Sequence, residues 1–328
     1  MGLPARFGLV PALALLVVAC TNGGGAPSSP APTVDGVAWS ALAEMPTPRS
    51  EVAAASDGER LVVAGGFDAT GASVTTVEIL DLSTGTWSAG PDLPVAVNHA
   101  MASAFDGTVA VAGGYGGPGL SGPTDRVFAL RGDTWQELPP MPGPRGAAGA
   151  ATVDDGLVVA GGVGPDGLAD EMYLLDPEVG RWITVQGPPT GREHLGVAGL
   201  GGDVYVVGGR TGGIGSNLAA SEAYDVEAGT WRELPPMPTA RGGSAAAATS
   251  NGFVVSAGGE EEGGTFAEAE AFDVAEGRWV SLPPMPTARH GLGVVAVGTV
   301  VYTIAGGEEP GLSVTGTVES IDLAPLAP

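Results

Sequence analysis

Arg49, Arg145, Arg192, Arg241 and Arg289 recur at one kind of place: each follows a proline-bearing link and precedes a run of small residues. Asn98 stands at the corresponding place in a sixth copy of the pattern. Guanidinium groups gathered on one rim offer rigid, fork-shaped donors to carboxylates. These five arginines, with Arg210, are therefore the candidate ligand-binding residues, a clamp for an anionic group. An internal use competes with this. Glu78, Glu222, Glu270 and Glu319 recur at a fixed place further along the same copies, where they would pair with the arginines. The copy with Asn98 carries Arg126 where others have glutamate, so both charges change together, as partners do.

The three histidines, His99, His194 and His290, fall beside the same positions in alternate copies. Three imidazoles meeting on an axis suit zinc or another divalent ion. His194, however, lies two residues past its arginine position and the other two lie one past, so strand alternation turns them to different sides. On that ground the sequence assigns no metal and no cofactor, and no catalytic set is identified. The acidic runs at 260–262 and 308–309 are taken as solvated loop tips, not calcium ligands. The single cysteine excludes an internal disulfide and a cysteine-rich metal cage. Its place is informative. Residues 17–20, Val-Val-Ala-Cys, close a short apolar run that follows Arg6, and they resemble a bacterial lipobox with Cys20 as the lipidation site. Residues 1–19 are expected to be a lipoprotein signal peptide and 20–34 the lipidated cysteine with a flexible Gly/Ser/Pro tether, leaving 35–328 as the folded domain.

What positions these residues is a repeat. An apolar strand ending on a Gly–Gly pair recurs six times, with the first glycines at Gly65, Gly113, Gly161, Gly208, Gly258 and Gly306, spaced 48, 48, 47, 50 and 48 residues apart. The six tryptophans, Trp39, Trp87, Trp135, Trp182, Trp231 and Trp279, keep the same beat. Each copy contains a strand of small residues, a tight turn and the apolar strand. A variable loop, an alternating strand and a D-x-x-x-G-x-W turn into a tryptophan-bearing strand complete it. Self-similarity at this period means stacked units of one supersecondary element, and four antiparallel strands in each of six units make an all-β, six-bladed β-propeller. The last copy lacks its tryptophan strand and the first tryptophan lacks the strands before it, so the N-terminal strand is expected to complete the sixth blade and close the ring. Alternation then puts the six loops after Gly–Gly (67–74, 115–124, 163–170, 210–219, 260–266 and 308–314) on one face with the arginines.

Charge narrows the partners. The chain has 13 arginines and no lysine against 37 acids, a formal net charge of −24. Such a surface repels a phosphate backbone and anionic lipid headgroups, so nucleic acid is excluded as a partner and membrane contact is left to the lipid anchor.

The Gly–Gly pair after an apolar strand, the acid before the turn and the spaced tryptophan together resemble the kelch family, over residues 37–323. The resemblance implies the propeller but leaves function open, since kelch propellers include adaptors, scaffold proteins, a copper oxidase and a sugar isomerase. The copper-oxidase branch needs a cysteine cross-linked to tyrosine, and the only cysteine lies at the lipobox, which excludes it. The expected function is a monomeric binding module on the bacterial cell envelope, at the outer face of the plasma membrane or the outer membrane. It would take a protein or peptide segment, or an acidic glycan, on its Arg-lined face. The alternative is a carbohydrate-active enzyme, a sugar-acid isomerase, epimerase or hydrolase, working in the same pore mouth.

Overall fold

The computed structural model describes residues 31–326; the expected signal peptide, Cys20 and most of the tether lie outside the described residues. Six four-stranded antiparallel sheets follow one another along the chain. The first blade shows the pattern: an inner strand Ala53–Ser56, then Arg60–Ala64, Val77–Asp81 and an outer strand Thr86–Ala89, each hydrogen-bonded to the next. The inner strands of the remaining blades are Met101–Phe105, Gly149–Val153, Gly196–Leu200, Ala245–Ala248 and Gly293–Val297. Small side chains are required there because neighbouring inner strands nearly touch around the axis. A Cβ on Gly196 would stand 2.6 Å from the Cβ of Ala246 in the next blade.

The ring closes as expected. Trp39–Ala41 pairs antiparallel with Val318–Asp322, so the start of the described chain supplies the outer strand of the blade that its end begins. Residues 33 and 34, expected to belong to the tether, touch the propeller. Thr33 already bridges Ser281 on the outer strand of blade five, and the Val34 amide donates to the Ser281 carbonyl at 3.1 Å.

The buried apolar side chains form six clusters, each spanning two neighbouring blades. The core is thus distributed over the blade interfaces. Tryptophan joins these interfaces by a polar handle as well as by its area. Each indole N–H donates to a carbonyl of the preceding blade's exit: Trp87 to Ala43, Trp135 to Pro91, Trp182 to Pro139, Trp231 to Gln186, Trp279 to Pro235 and Trp39 to Pro283, at 2.8–3.0 Å. The acid of the D-x-x-x-G-x-W turn works as a turn cap: Asp81 Oδ1 accepts from the Ser83 and Thr84 amides, and Gly85 supplies the positive φ of 67°.

The Gly–Gly pair makes the sharp exit onto the loop face. Both glycines of blade one have φ in the left-handed region, and a Cβ on Gly65 would stand 2.6 Å from the Val97 carbonyl oxygen. Blade six departs from the sequence alignment here. Ala305 and Gly306 occupy the two positive-φ positions, at 60° and 100°, so the visible pair Gly306–Gly307 is one residue out of register.

Candidate functional site

The arginine positions lie inside the wall of the propeller. Arg49, Arg192, Arg241 and Arg289 are 0% exposed. Each meets the third-strand glutamate of its own blade: Arg49–Glu78 and Arg241–Glu270 at 2.9 Å, Arg289–Glu319 at 2.7 Å, and Arg192 with Glu222. The other guanidinium nitrogen reaches two backbone carbonyls around the Gly–Gly exit, as Arg289 does with Ala305 and Thr317 at 2.7 and 2.9 Å. A threonine two residues earlier completes the set, Thr287 donating to Glu319 at 2.8 Å and Thr47 to Glu78 at 2.9 Å. These four groups have no surface to offer a ligand, and their contacts follow the internal-pair alternative. Burial lowers each guanidinium pKa and the facing glutamate works against that.

Blade two changes register against the sequence alignment. The carbonyl that accepts the Gly–Gly amide belongs to Arg145, Arg192, Arg241 and Arg289 in other blades, and to Val97 in this one. Val111 pairs with Phe128 as Val63 pairs with Glu78, so Phe128 holds the glutamate position, while Arg126 turns outward to Glu137 at 2.8 Å. Asn98 and Arg126 are thus not the substituted pair; an apolar pair, Val97 and Phe128, replaces the ionic one. A polar residue one step away captured the alignment because the links vary by a residue. Arg145 has Tyr173 Oη at 2.7 Å in place of glutamate, with Glu171 further out.

At the mouth of the channel the six blades are laced by a ring of backbone hydrogen bonds. The donors run His99 to Glu51, Ala147 to His99, His194 to Ala147, Gly243 to His194, Gly291 to Gly243 and Glu51 to Gly291, all 2.7–3.1 Å. All six residues have positive φ, between 49° and 70°. Glycine takes that conformation freely, so Glu51, His99 and His194 sit where an L-residue is strained. The two ring glycines make room: a Cβ on Gly291 would stand 2.5 Å from Glu51 Oε1.

The ring corrects the register of the histidines. His99 and His194 occupy equivalent positions, two past the arginine place, and their rings lie 4.8 Å apart, edge to face. His290 is the one displaced by a residue. Glu51, overlooked in the sequence because blade one has no histidine, comes between them: Oε2 is 3.2 Å from His99 Nε2 and Oε1 is 3.3 Å from His290 Nδ1. A continuous circuit follows: His194 Nδ1 to Glu193 at 3.3 Å, Glu193 to Arg210 at 3.2 Å, Arg210 to Glu260 at 2.8 Å, and Glu260 to His290 at 3.6 Å. Arg210 is therefore held by two carboxylates and is buried, not offered to solvent.

Burial would raise the Glu51 carboxyl, yet the imidazoles around it, His99 foremost, hold it well below the usual carboxylate range. Burial pushes His99 down to about 4. Burial would also lower His290, and the Glu51 and Glu260 carboxylates beside it reverse the direction and raise it. Tyr115, whose ring edges His99, is pushed up to about 12 by burial and by Glu193. The channel below Glu51, His99 and His194 encloses about 110 Å³, and its next length, walled mostly by alanine with Ser, Thr, Gly and Val, about 200 Å³.

Around this buried mouth stand the loops. Asp166, Asp170, Glu261, Glu262, Glu308 and Glu309 are exposed there, while Arg210, the one basic residue in the six loops, is not. Three loop tips show leucine to solvent: Leu120 (55% exposed), Leu168 (38%) and Leu312 (57%).

Comparison with known proteins agrees with the geometry. The family model of the KLHDC2/KLHL20/DRC7 Kelch-repeats domain matches residues 127–307, just over half of the chain, and the Kelch motif matches residues 48–94. An F-box/kelch-repeat protein of Arabidopsis thaliana is 38% identical over 63 residues, a stretch covering 19% of this chain and only 16% of that relative. Among solved structures, that of YjhT superposes with a TM-score of 0.73 over 84% of this chain and 95% of its own, at 17% identity, a likeness of fold. A kelch propeller suits a binding or interaction module. Six blades of one repeat, their Gly–Gly exits and these matches place the chain in the kelch-repeat family.

Proposed function

We propose that this chain is exported, anchored to the bacterial cell envelope through a lipid on Cys20, and takes a protein segment carrying basic and apolar side chains on its loop face. One observation carries the binding half: every exposed charge in the six loops is acidic, and leucines crown three of them. Such a rim complements a cationic segment and repels an acidic glycan, whose expected arginine clamp is inside the wall. The test is an array of Lys- and Leu-bearing peptides beside uronate oligosaccharides, probed with the full chain. Binding of the basic peptides is expected, weaker at high salt and at least about tenfold weaker in Leu120→Ser/Leu312→Ser. Capture of the glycans, or indifference to both changes, overturns it. For the anchor, Cys20→Ser is expected to abolish lipid labelling and release the protein from membranes; unchanged fractionation of that variant refutes the anchor.

The carbohydrate-active alternative draws on the Glu51–His99–His194 cluster in the channel. A cavity of about 110 Å³ is small beside the roughly 300–1,000 Å³ of small-molecule sites. Turnover of a sugar acid by the native chain, lost in Glu51→Gln, would establish it over the binding module.

A further inference from the structure

We infer that Glu51, His99 and His194 form a binding site for one divalent transition-metal ion of the zinc type, at the loop-face mouth of the channel. One ligand atom from each of the three lies within 4.8 Å of the others, and each residue comes from a different blade at the same place in the backbone ring. Two imidazoles and a carboxylate are the donor set that zinc and its neighbours take, leaving a coordination position open to the channel for water.

Hydrogen bonding at His99 points to a cation independently of the clustering. The Asn98 side-chain nitrogen donates to Ser73 Oγ at 2.8 Å and to the Gly119 carbonyl at 3.1 Å. Its oxygen is thereby turned toward His99 Nδ1, 2.6 Å away, and an amide oxygen only accepts, so the proton belongs on Nδ1. In the neutral imidazole that leaves the Nε2 lone pair facing the Glu51 carboxylate at 3.2 Å, two acceptors with no hydrogen between them. A metal ion satisfies both, and Asn98 then does what outer partners of metal-binding histidines do, fixing tautomer and ring orientation.

His194 supplies a second observation. It is 6% exposed; its Nδ1 faces Glu193 Oε2 at 3.3 Å, and its Nε2 has no hydrogen-bond partner among the described residues. A buried ring nitrogen left without a partner is costly unless a ligand takes it. The charge of the surroundings has the right sign. Glu51, Glu193 and Glu260 set three carboxylates against one guanidinium, Arg210, and the imidazoles of the circuit, which favours a cation over an anion. His290 stands on the far oxygen of Glu51, where it orients the carboxylate.

The experiment uses the full chain, stripped with chelator and titrated with CoCl₂ and ZnCl₂. One Co(II) per chain is expected, with visible d–d bands of a low-coordinate site bearing imidazole, displaced by Zn(II). His194→Ala and Glu51→Gln are expected to weaken zinc binding at least about 100-fold, and Asn98→Ala by about 10- to 100-fold. Because a body of charge −24 attracts cations anywhere, Glu261→Gln/Glu262→Gln/Glu308→Gln/Glu309→Gln serves as the control and keeps both the bands and the affinity. Absence of d–d bands in the native chain overturns the proposal whether or not any variant folds. So does metal binding that the loop variant loses while Glu51→Gln and His194→Ala retain it.

Discussion

Arg289 and Glu319 show why the same residue type has opposite prospects at a rim and in a wall. An exposed guanidinium is a ligand group; this one is enclosed, satisfied by Glu319, Thr303 and two carbonyls, and holds the strand exit in shape. Removing one member of a buried pair strands the other's charge. Glu319→Ala is therefore expected to cost about 3–5 kcal/mol in urea unfolding. Arg289→Val with Glu319→Phe, which copies the Val97 and Phe128 of blade two, should cost far less than the two single changes added together. A double-mutant cycle measures this directly, and additive losses would show that the pair does not act as a unit. The charges were legible in the sequence, but the sequence assigns their replacement in blade two to Asn98 and Arg126, where the fold puts Val97 and Phe128. The exposure of the charges was not legible, because nothing in a residue's identity states on which side of a blade it is enclosed.

The Gly–Gly exit and the Asp–Gly–Trp turn use the same backbone freedom in different surroundings. Gly180 has φ of 61° with open space around the site of a Cβ, whereas at Gly65 a Cβ would meet the Val97 carbonyl at 2.6 Å. Gly180→Ala is expected to cost only the left-handed conformation, about 1–2 kcal/mol. Gly65→Ala must also displace the neighbouring blade, so a clearly larger drop in thermal midpoint is expected; equal drops would mean the contact relaxes freely. Trp231→Phe keeps most of the apolar area and removes the indole bond to Gln186, with an expected loss of about 1 kcal/mol. These elements were legible because each is a local demand on φ or on a turn. Blade six is the instructive exception: Ala305 adopts the left-handed conformation that the repeat elsewhere assigns to glycine, so glycine alone misplaced the exit by one residue.

For the whole molecule, stability is shared over six blade interfaces and depends on closure. Deleting residues 31–42 would strip the outer strand from blade six, the Trp39 bond to Pro283 and the contact with Ser281. A lower melting temperature and self-association are expected, because Val318–Asp322 becomes an unpaired edge. Thermal melts with light scattering check it, and an unchanged monomeric melt would show that closure contributes little. Closure also bears on the proposed metal site, since the backbone ring that carries Glu51, His99 and His194 is continuous only while the sixth blade meets the first.

The sequence by itself determined the number of blades, their strand order, the closing strand and the face on which the loops gather. These follow from a period, from turn residues with single backbone uses and from alternation, all local. Tertiary structure alone decided which side chains meet. The register of blade two against its neighbours, the pairing of His99 with His194 and the arrival of Glu51 between His99 and His290 depend on links that differ by one residue, and one residue in an extended chain reverses the side from which a side chain projects. That is why the arginines looked like the site and the carboxylate among the histidines went unseen.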